Sequence, residues 1–140
     1  GDDEHHRHDL LSSQKAAEVS GERAYYLDSK LFRLNQALIN FASDHISDRG
    51  FDVYQVPFML EEEAISAAVD MEAFEEQLYQ VNENGRYLIA TAEHSLAAKY
   101  MDTVIEEELP LRLGGFSTNF RRAAGKHGKK TRGRWRSHQF

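Results

Sequence analysis

The chain has 140 residues, the size of one domain, so a single packed unit is expected. It is 41% hydrophobic and 29% charged and holds no cysteine, which excludes disulfides and thiolate metal sites. No apolar run approaches the ~18 residues that would span a bilayer, and the N-terminus lacks a signal peptide's apolar core, so a soluble cytoplasmic protein without membrane contact is expected.

The opening GDDEHHRHDLLSSQ, residues 1–14, is polar and irregular and reads as a linker or frayed end. It begins at Gly1 without a methionine, which suggests a fragment or a processed product. His5, His6 and His8 have no further ligand beside them in sequence and read as solvated histidines, so no metal is expected on this chain.

AYYLDSK reads as a short strand and a helix start, with Asp28 or Ser29 able to cap the first free N–H groups. Leu31, Leu34, Leu38, Phe41 and His45/Ile46 then recur at helical spacing, and Gly50 supplies a left-handed stop. Phe51, Val53 and Val56 suit a strand, and Pro57, with no N–H for a ladder bond, marks an edge or the strand's end. Two acidic amphipathic stretches follow, EEEAISAAV and DMEAFEEQLYQV, and RYLIAT reads as a short buried strand. EHSLAAKYMDTVIEEE reads as one helix that Pro110 keeps from continuing.

The last third differs in kind. The net charge of −6 hides a segregation: residues 111–140 hold nine cations (Arg112, Arg121, Arg122, Lys126, Lys129, Lys130, Arg132, Arg134, Arg136) and no acid, while the first 110 hold eight cations and all 23 acids. Such clustering marks a place that handles an anion or is a solvated basic tail. LRLGGFSTNFRR and RGRWRSHQF have strand composition around the Gly- and Lys-rich AAGKHGKKT, which reads as a hairpin with a long positive loop. Helices mixed with such strands argue for an α+β domain.

Two constellations carry chemistry. Arg121 and Arg136, on facing arms of the hairpin, would converge on one phosphate if the register puts them on one face, since guanidinium forks pair with phosphate oxygens. Phe140, four residues beyond Arg136, points to the same face and offers a ring on which a purine could stack, or else simply fills core. Thr91 and Glu93, where RYLIAT meets a helix, together suit a protonated amine. On spacing alone Thr91 reads as an N-cap and Glu93 as a first-turn acid.

Taken in order, these segments resemble the catalytic domain of the class II seryl-tRNA synthetases, the archaeal and eukaryotic forms above all. AAEVSGERAYYLDSKLFRLNQALINFASDHISDRGFDVYQVPFML is similar to that family's motif one, EAFEEQLYQV and RYLIATAEHSLAAKYM to the stretch around its Thr-x-Glu loop, and LPLRLGGFSTNFRRAAGKHGKKTRGRWRSHQF to its motif two. The resemblance implies an antiparallel sheet flanked by helices, with residues 15–140 a partial catalytic domain. It implies ATP and Mg²⁺ as cofactors, serine and tRNA(Ser) as substrates, and a homodimer through motif one including Pro57. It further implies that Thr91 and Glu93 receive the serine amino group and that Arg121 holds the α-phosphate and the serine carboxylate. Arg136 would be a second arginine at the nucleotide, with Arg122, Ala123, Ser137, His138 and Gln139 along the ATP site and Phe140 stacking on adenine. The loop at Lys126 to Lys130 would lie near ATP and the tRNA end.

The chain departs from the family pattern at several points. Ala123 stands where motif two has Glu, Lys130 where Asp is usual, Arg134 and Trp135 where residues are apolar or small, and Ser137 where Val is common. The family's serine-hydroxyl pocket, metal ligands and motif three lie beyond Phe140. These differences keep three readings open. One is a serine-activating ligase or a fragment of it, and another a decayed paralog that binds RNA or protein. The third is a ligase that loads an amino acid onto a carrier protein, whose zinc site uses a cysteine this chain lacks.

Overall fold

The computed structural model describes residues 11, 12, 14–122 and 137–140. These residues form short strands and helices in the order β1 (Leu11–Ser12), α1 (Gln14–Ser20), β2 (Tyr26–Leu27), α2 (Ser29–Ser47), β3 (Asp52–Gln55) and β4 (Met59–Leu60). Then come α3 (Glu62–Ala68), α4 (Met71–Phe74), a 3₁₀ turn at Glu75–Gln77, β5 (Tyr87–Leu88), α5 (Ala92–Ala98) and β6 (Leu113–Phe116). The chain divides into two compact units where its length suggests one. The first comprises Gly1–Ala42 with Lys126–Ser137, and the second Ser43–Gly125 with His138–Phe140.

In the first unit, β1 pairs antiparallel with β2, Leu11 opposite Leu27 and Ser12 opposite Tyr26. The strand thus begins inside the stretch whose composition reads as irregular. Ala16 of α1 is buried. Helix α2, shared between the units, is the one the apolar spacing predicts, and it stops where Gly50 adopts a φ of +85°, a conformation that favours a residue without Cβ.

In the second unit β3 ends at Gln55, two residues before Pro57, and pairs in parallel with β6 from Asp52–Leu113 to Gln55–Phe116. The antiparallel pairing that the resemblance implies is seen in β4–β5, where Met59 faces Leu88 and Leu60 faces Tyr87, and in bridges from Gln80 to Tyr87 and from Phe120 to Gln139. The core is built of Val56, Leu60, Ala64, Ile65, Leu78, Tyr87, Ile89 and Ala90, with Ile65 and Ile89 fully enclosed. RYLIAT, read as a short buried strand, is one only at Tyr87–Leu88: Arg86 is exposed, Ile89 and Ala90 are buried beyond the strand, and Thr91 caps the next helix. Burial and the nearby carboxylates of Glu75 and Glu62 push the Tyr87 hydroxyl up from its ordinary pKa.

One element departs from expectation. The helix predicted through Glu108 ends at Ala98, and residues 102–112 have no regular structure except turns and bends. Asp102 turns the chain with a left-handed φ of 50°, and the Thr103 hydroxyl donates to the Met101 carbonyl at 2.8 Å. The β-branched run Thr103-Val104-Ile105 and three successive glutamates then offer little to hold a helix.

Candidate functional site

Helix α5 is set against the core by small, close contacts. Ser95 is buried, and its hydroxyl donates to the Pro57 carbonyl at 2.7 Å. A Cβ at Gly115 of β6 would lie 2.9 Å from the Ala92 Cβ and 3.0 Å from Leu96 Cδ1, so glycine lets the strand approach the helix this closely. Thr91 caps the helix: its backbone is extended and its Oγ1 accepts the Glu93 N–H at 3.3 Å. The cap reading of Thr91 and the first-turn position of Glu93 both hold locally.

The segment after β6 runs back along β5. Phe120 N–H donates to the Ile89 carbonyl at 2.9 Å, and Arg122 N–H to Gln77 at 2.9 Å. On its other side this segment meets the chain end. Asn119 and Phe140 exchange N–H···O bonds of 2.6 and 2.9 Å, and Arg121 N–H donates to the His138 carbonyl at 2.8 Å. His138 Nδ1 lies 3.0 Å from the Arg121 carbonyl, and a carbonyl only accepts, so that nitrogen carries the ring proton. The His138 ring also stands edge-on to Tyr79, with centroids 6.4 Å apart. Both arms of the expected hairpin are therefore paired at their described ends.

This pairing brings Arg121 to the Thr91 turn. Its Nε–H donates to the Ala90 carbonyl at 3.1 Å, one residue before Thr91, and its guanidinium carbon sits 5.1 Å from the centre of the Phe140 ring. A planar cation over an aromatic face is favourable and holds both groups in one orientation. His94 joins them from α5, where its Nδ1 is 3.4 Å from the Ala90 nitrogen. Burial first, then the Arg121 charge, holds the His94 pKa below its ordinary value of 6.5, with Glu93 acting in the opposite sense.

Thr91, Glu93, Arg121 and Phe140 are thus neighbours of one short stretch of backbone. Arg122 and Gln139 are exposed beside them, and Ser137 belongs to the other compact unit. Arg136, Ala123, the loop at Lys126 to Lys130 with Arg134 and Trp135, and the three N-terminal histidines lie outside the described residues. Residue patterns missed His94 and Ser95. His94 lies one turn beyond Thr91 on the same helix, but its partner is a backbone N–H that only the fold reveals. Among the described residues no group of three His, Asp or Glu is placed to hold a metal, so Mg²⁺ finds no ligand set there and no step is assigned to it. No helix among them is long and apolar enough to cross a membrane. A separate open cavity of about 470 Å³ is lined by Asp52, Tyr54, Tyr100, Glu107, Glu108 and Arg112 among others, and shares no residue with this group.

No family model matches the chain. A serine–tRNA ligase from Picrophilus torridus is 46% identical over 132 residues, which is 94% of this chain and 30% of that protein. Among solved structures, seryl-tRNA synthetase from Pyrococcus horikoshii, complexed with ATP, superimposes with a TM-score of 0.85 at 39% identity, covering 93% of this chain and 29% of that one. The cytoplasmic serine–tRNA ligase of Naegleria fowleri, in complex with AMP, gives 0.84 at 38% identity and covers 93% and 31%. The chain therefore spans about 30% of the length of the relatives it matches.

Proposed function

We propose that this chain, a homologue of the seryl-tRNA synthetases over 94% of its length, is part of a cytoplasmic class II catalytic domain that activates serine with ATP and passes it to tRNA(Ser). In this reading residues 15–140 form the partial domain. The observation that carries it is the meeting of Arg121 with the Ala90 carbonyl and the Phe140 ring, next to the Thr91-Ala92-Glu93 turn.

The chemistry asks for little covalent help. A serine carboxylate oxygen attacks the α-phosphorus of ATP, the bond to the bridging oxygen breaks, and pyrophosphate leaves with that electron pair. Seryl-adenylate forms, and a tRNA terminal hydroxyl later displaces AMP from the acyl carbon. Rate comes from positioning and from charge placed where charge develops. Arg121 is suited to the α-phosphate and the serine carboxylate because its Nε anchor to Ala90 fixes where its terminal nitrogens point. Thr91 Oγ1 and the Glu93 carboxylate suit the ammonium group, and Phe140 the adenine. Arg136 is assigned a second nucleotide contact, and Arg122, Ala123, Ser137, His138 and Gln139 line the ATP side. Mg²⁺, which the family resemblance implies, has no ligand set among the described residues, so the residues named here carry the whole of the reading.

The reading includes a homodimer through the region from α2 to Pro57. Leu34 and Leu38 lie one turn apart on α2 and are 54% and 57% exposed, an apolar stripe suited to a second copy. Serine-dependent exchange of pyrophosphate into ATP tests the function, measured on this chain and on the longest native polypeptide that contains it. Exchange is expected from the latter, and Arg121→Ala should lower it about 100- to 1,000-fold. No exchange above background would sink the assignment.

A second reading has a specific motive: Ala123 and Lys130 replace acids, and no acid remains after residue 110. A decayed paralog of this kind would bind RNA or a protein, and RNA affinity would fall steeply with salt. Undetectable RNA binding at low salt would remove its nucleic-acid form.

A further inference from the structure

Ala90 is the junction of the group. Its carbonyl accepts from Arg121 Nε at 3.1 Å, and its N–H faces His94 Nδ1 at 3.4 Å. An N–H group only donates, so Nδ1 must present a lone pair and the ring proton sits on Nε2. We propose that neutral His94 is a positioning residue: by accepting the Ala90 N–H it fixes the turn whose carbonyl anchors Arg121, and a protonated ring releases both. The functional meaning rests on the reading of Arg121 given above; the geometry does not.

The charged groups facing the ring are Arg121 from the strand segment and Glu93 from its own helix. Burial and Arg121 both oppose a second positive charge there, and they outweigh Glu93. The ring is therefore neutral near pH 7 and gains its proton only below the ordinary value of 6.5. An imidazolium has no lone pair on Nδ1, so protonation turns the contact with Ala90 into two opposed N–H groups beside a like charge. Because the folded pKa is depressed, the stability tied to the neutral ring is complete above pH 6.5 and is lost as pH falls through the folded value.

Two substitutions separate the acceptor from the titration. His94→Asn keeps an oxygen near the place of Nδ1 but cannot take a proton, and His94→Leu removes both. Nitrogen-15 spectra of the histidine rings in this chain should show His94 with its proton on Nε2 at about pH 7.5. Relative to His94→Asn at the same pH, exchange of the Arg121 Nε–H should match at about pH 7.5 and be roughly tenfold faster below the midpoint of the His94 titration read in the same spectra, while His94→Leu is faster at both. A proton on Nδ1 at neutral pH, or Arg121 exchange indifferent to acid and to His94→Leu, overturns the proposal.

In the exchange assay, KM for serine should rise roughly tenfold as pH falls from about 7.5 through the measured His94 midpoint and be restored by His94→Asn, with kcat changing less. A KM equally pH-dependent in the Asn variant also overturns it. Absence of any exchange defeats the functional reading instead, and the ring spectra then decide the positioning role alone.

Discussion

Helix α2 runs for 19 residues and buries none of them, whereas α5 has seven residues, buries Ser95 and packs Ala92, Leu96 and Ala98 against the core. Both have apolar residues at helical spacing. That spacing says where a helix forms and which face is apolar, but not what lies against the face. The contacts of α5 come from residues far away in sequence, at Pro57 and Gly115. The difference teaches that local pattern and tertiary role are separate statements, and that the shorter helix is the one whose surroundings are specified.

The comparison breaks if substitutions around α5 cost no more than those on α2. The largest effect should come from the core beneath the site. Ile89→Ala removes a fully enclosed side chain and should cost about 2–5 kcal/mol in urea unfolding. Gly115→Ala forces a methyl group against Ala92 and Leu96, and about 1–3 kcal/mol is expected, together with shifted amide resonances for Thr91 and Glu93. Ser95→Ala should cost about 1 kcal/mol through loss of the bond to the Pro57 carbonyl. At the small end, Leu38→Ala on α2 should change monomer stability by less than about 0.5 kcal/mol, since the residue is 57% exposed. A dimer should reveal itself by making that last variant weaken association in sedimentation, with little change in the unfolding midpoint of the dilute chain.

Much of this was legible in the sequence. The run from Leu31 to Ile46 and the stop at Gly50 describe α2 correctly, because one glycine at a positive φ and one periodic stripe suffice. Pro57 marked the end of β3 for want of an N–H. The helix after Thr91 was legible at its start, where the cap is a local device, but not at its end. A run of charge and β-branched residues stops a helix more quietly than a proline. The parallel pairing of β3 with β6 was hidden, since composition reports strands and not their neighbours. The proximity of Arg121 to Thr91 followed from resemblance, while the part played by His94 needed the Ala90 backbone, which carries no side-chain signature at all.

The pairing of β3 with β6 has a consequence for how the chain is made. The partners are separated by roughly 60 residues, so at about 5–20 residues per second the ribosome delivers β3 some 3–12 s before β6 exists. Throughout that interval the earlier strand carries unclaimed backbone groups, and loop closure over such a distance is slow. Nascent chains halted before Leu113 should therefore be the ones that recruit chaperones, and release past Phe116 should end that dependence.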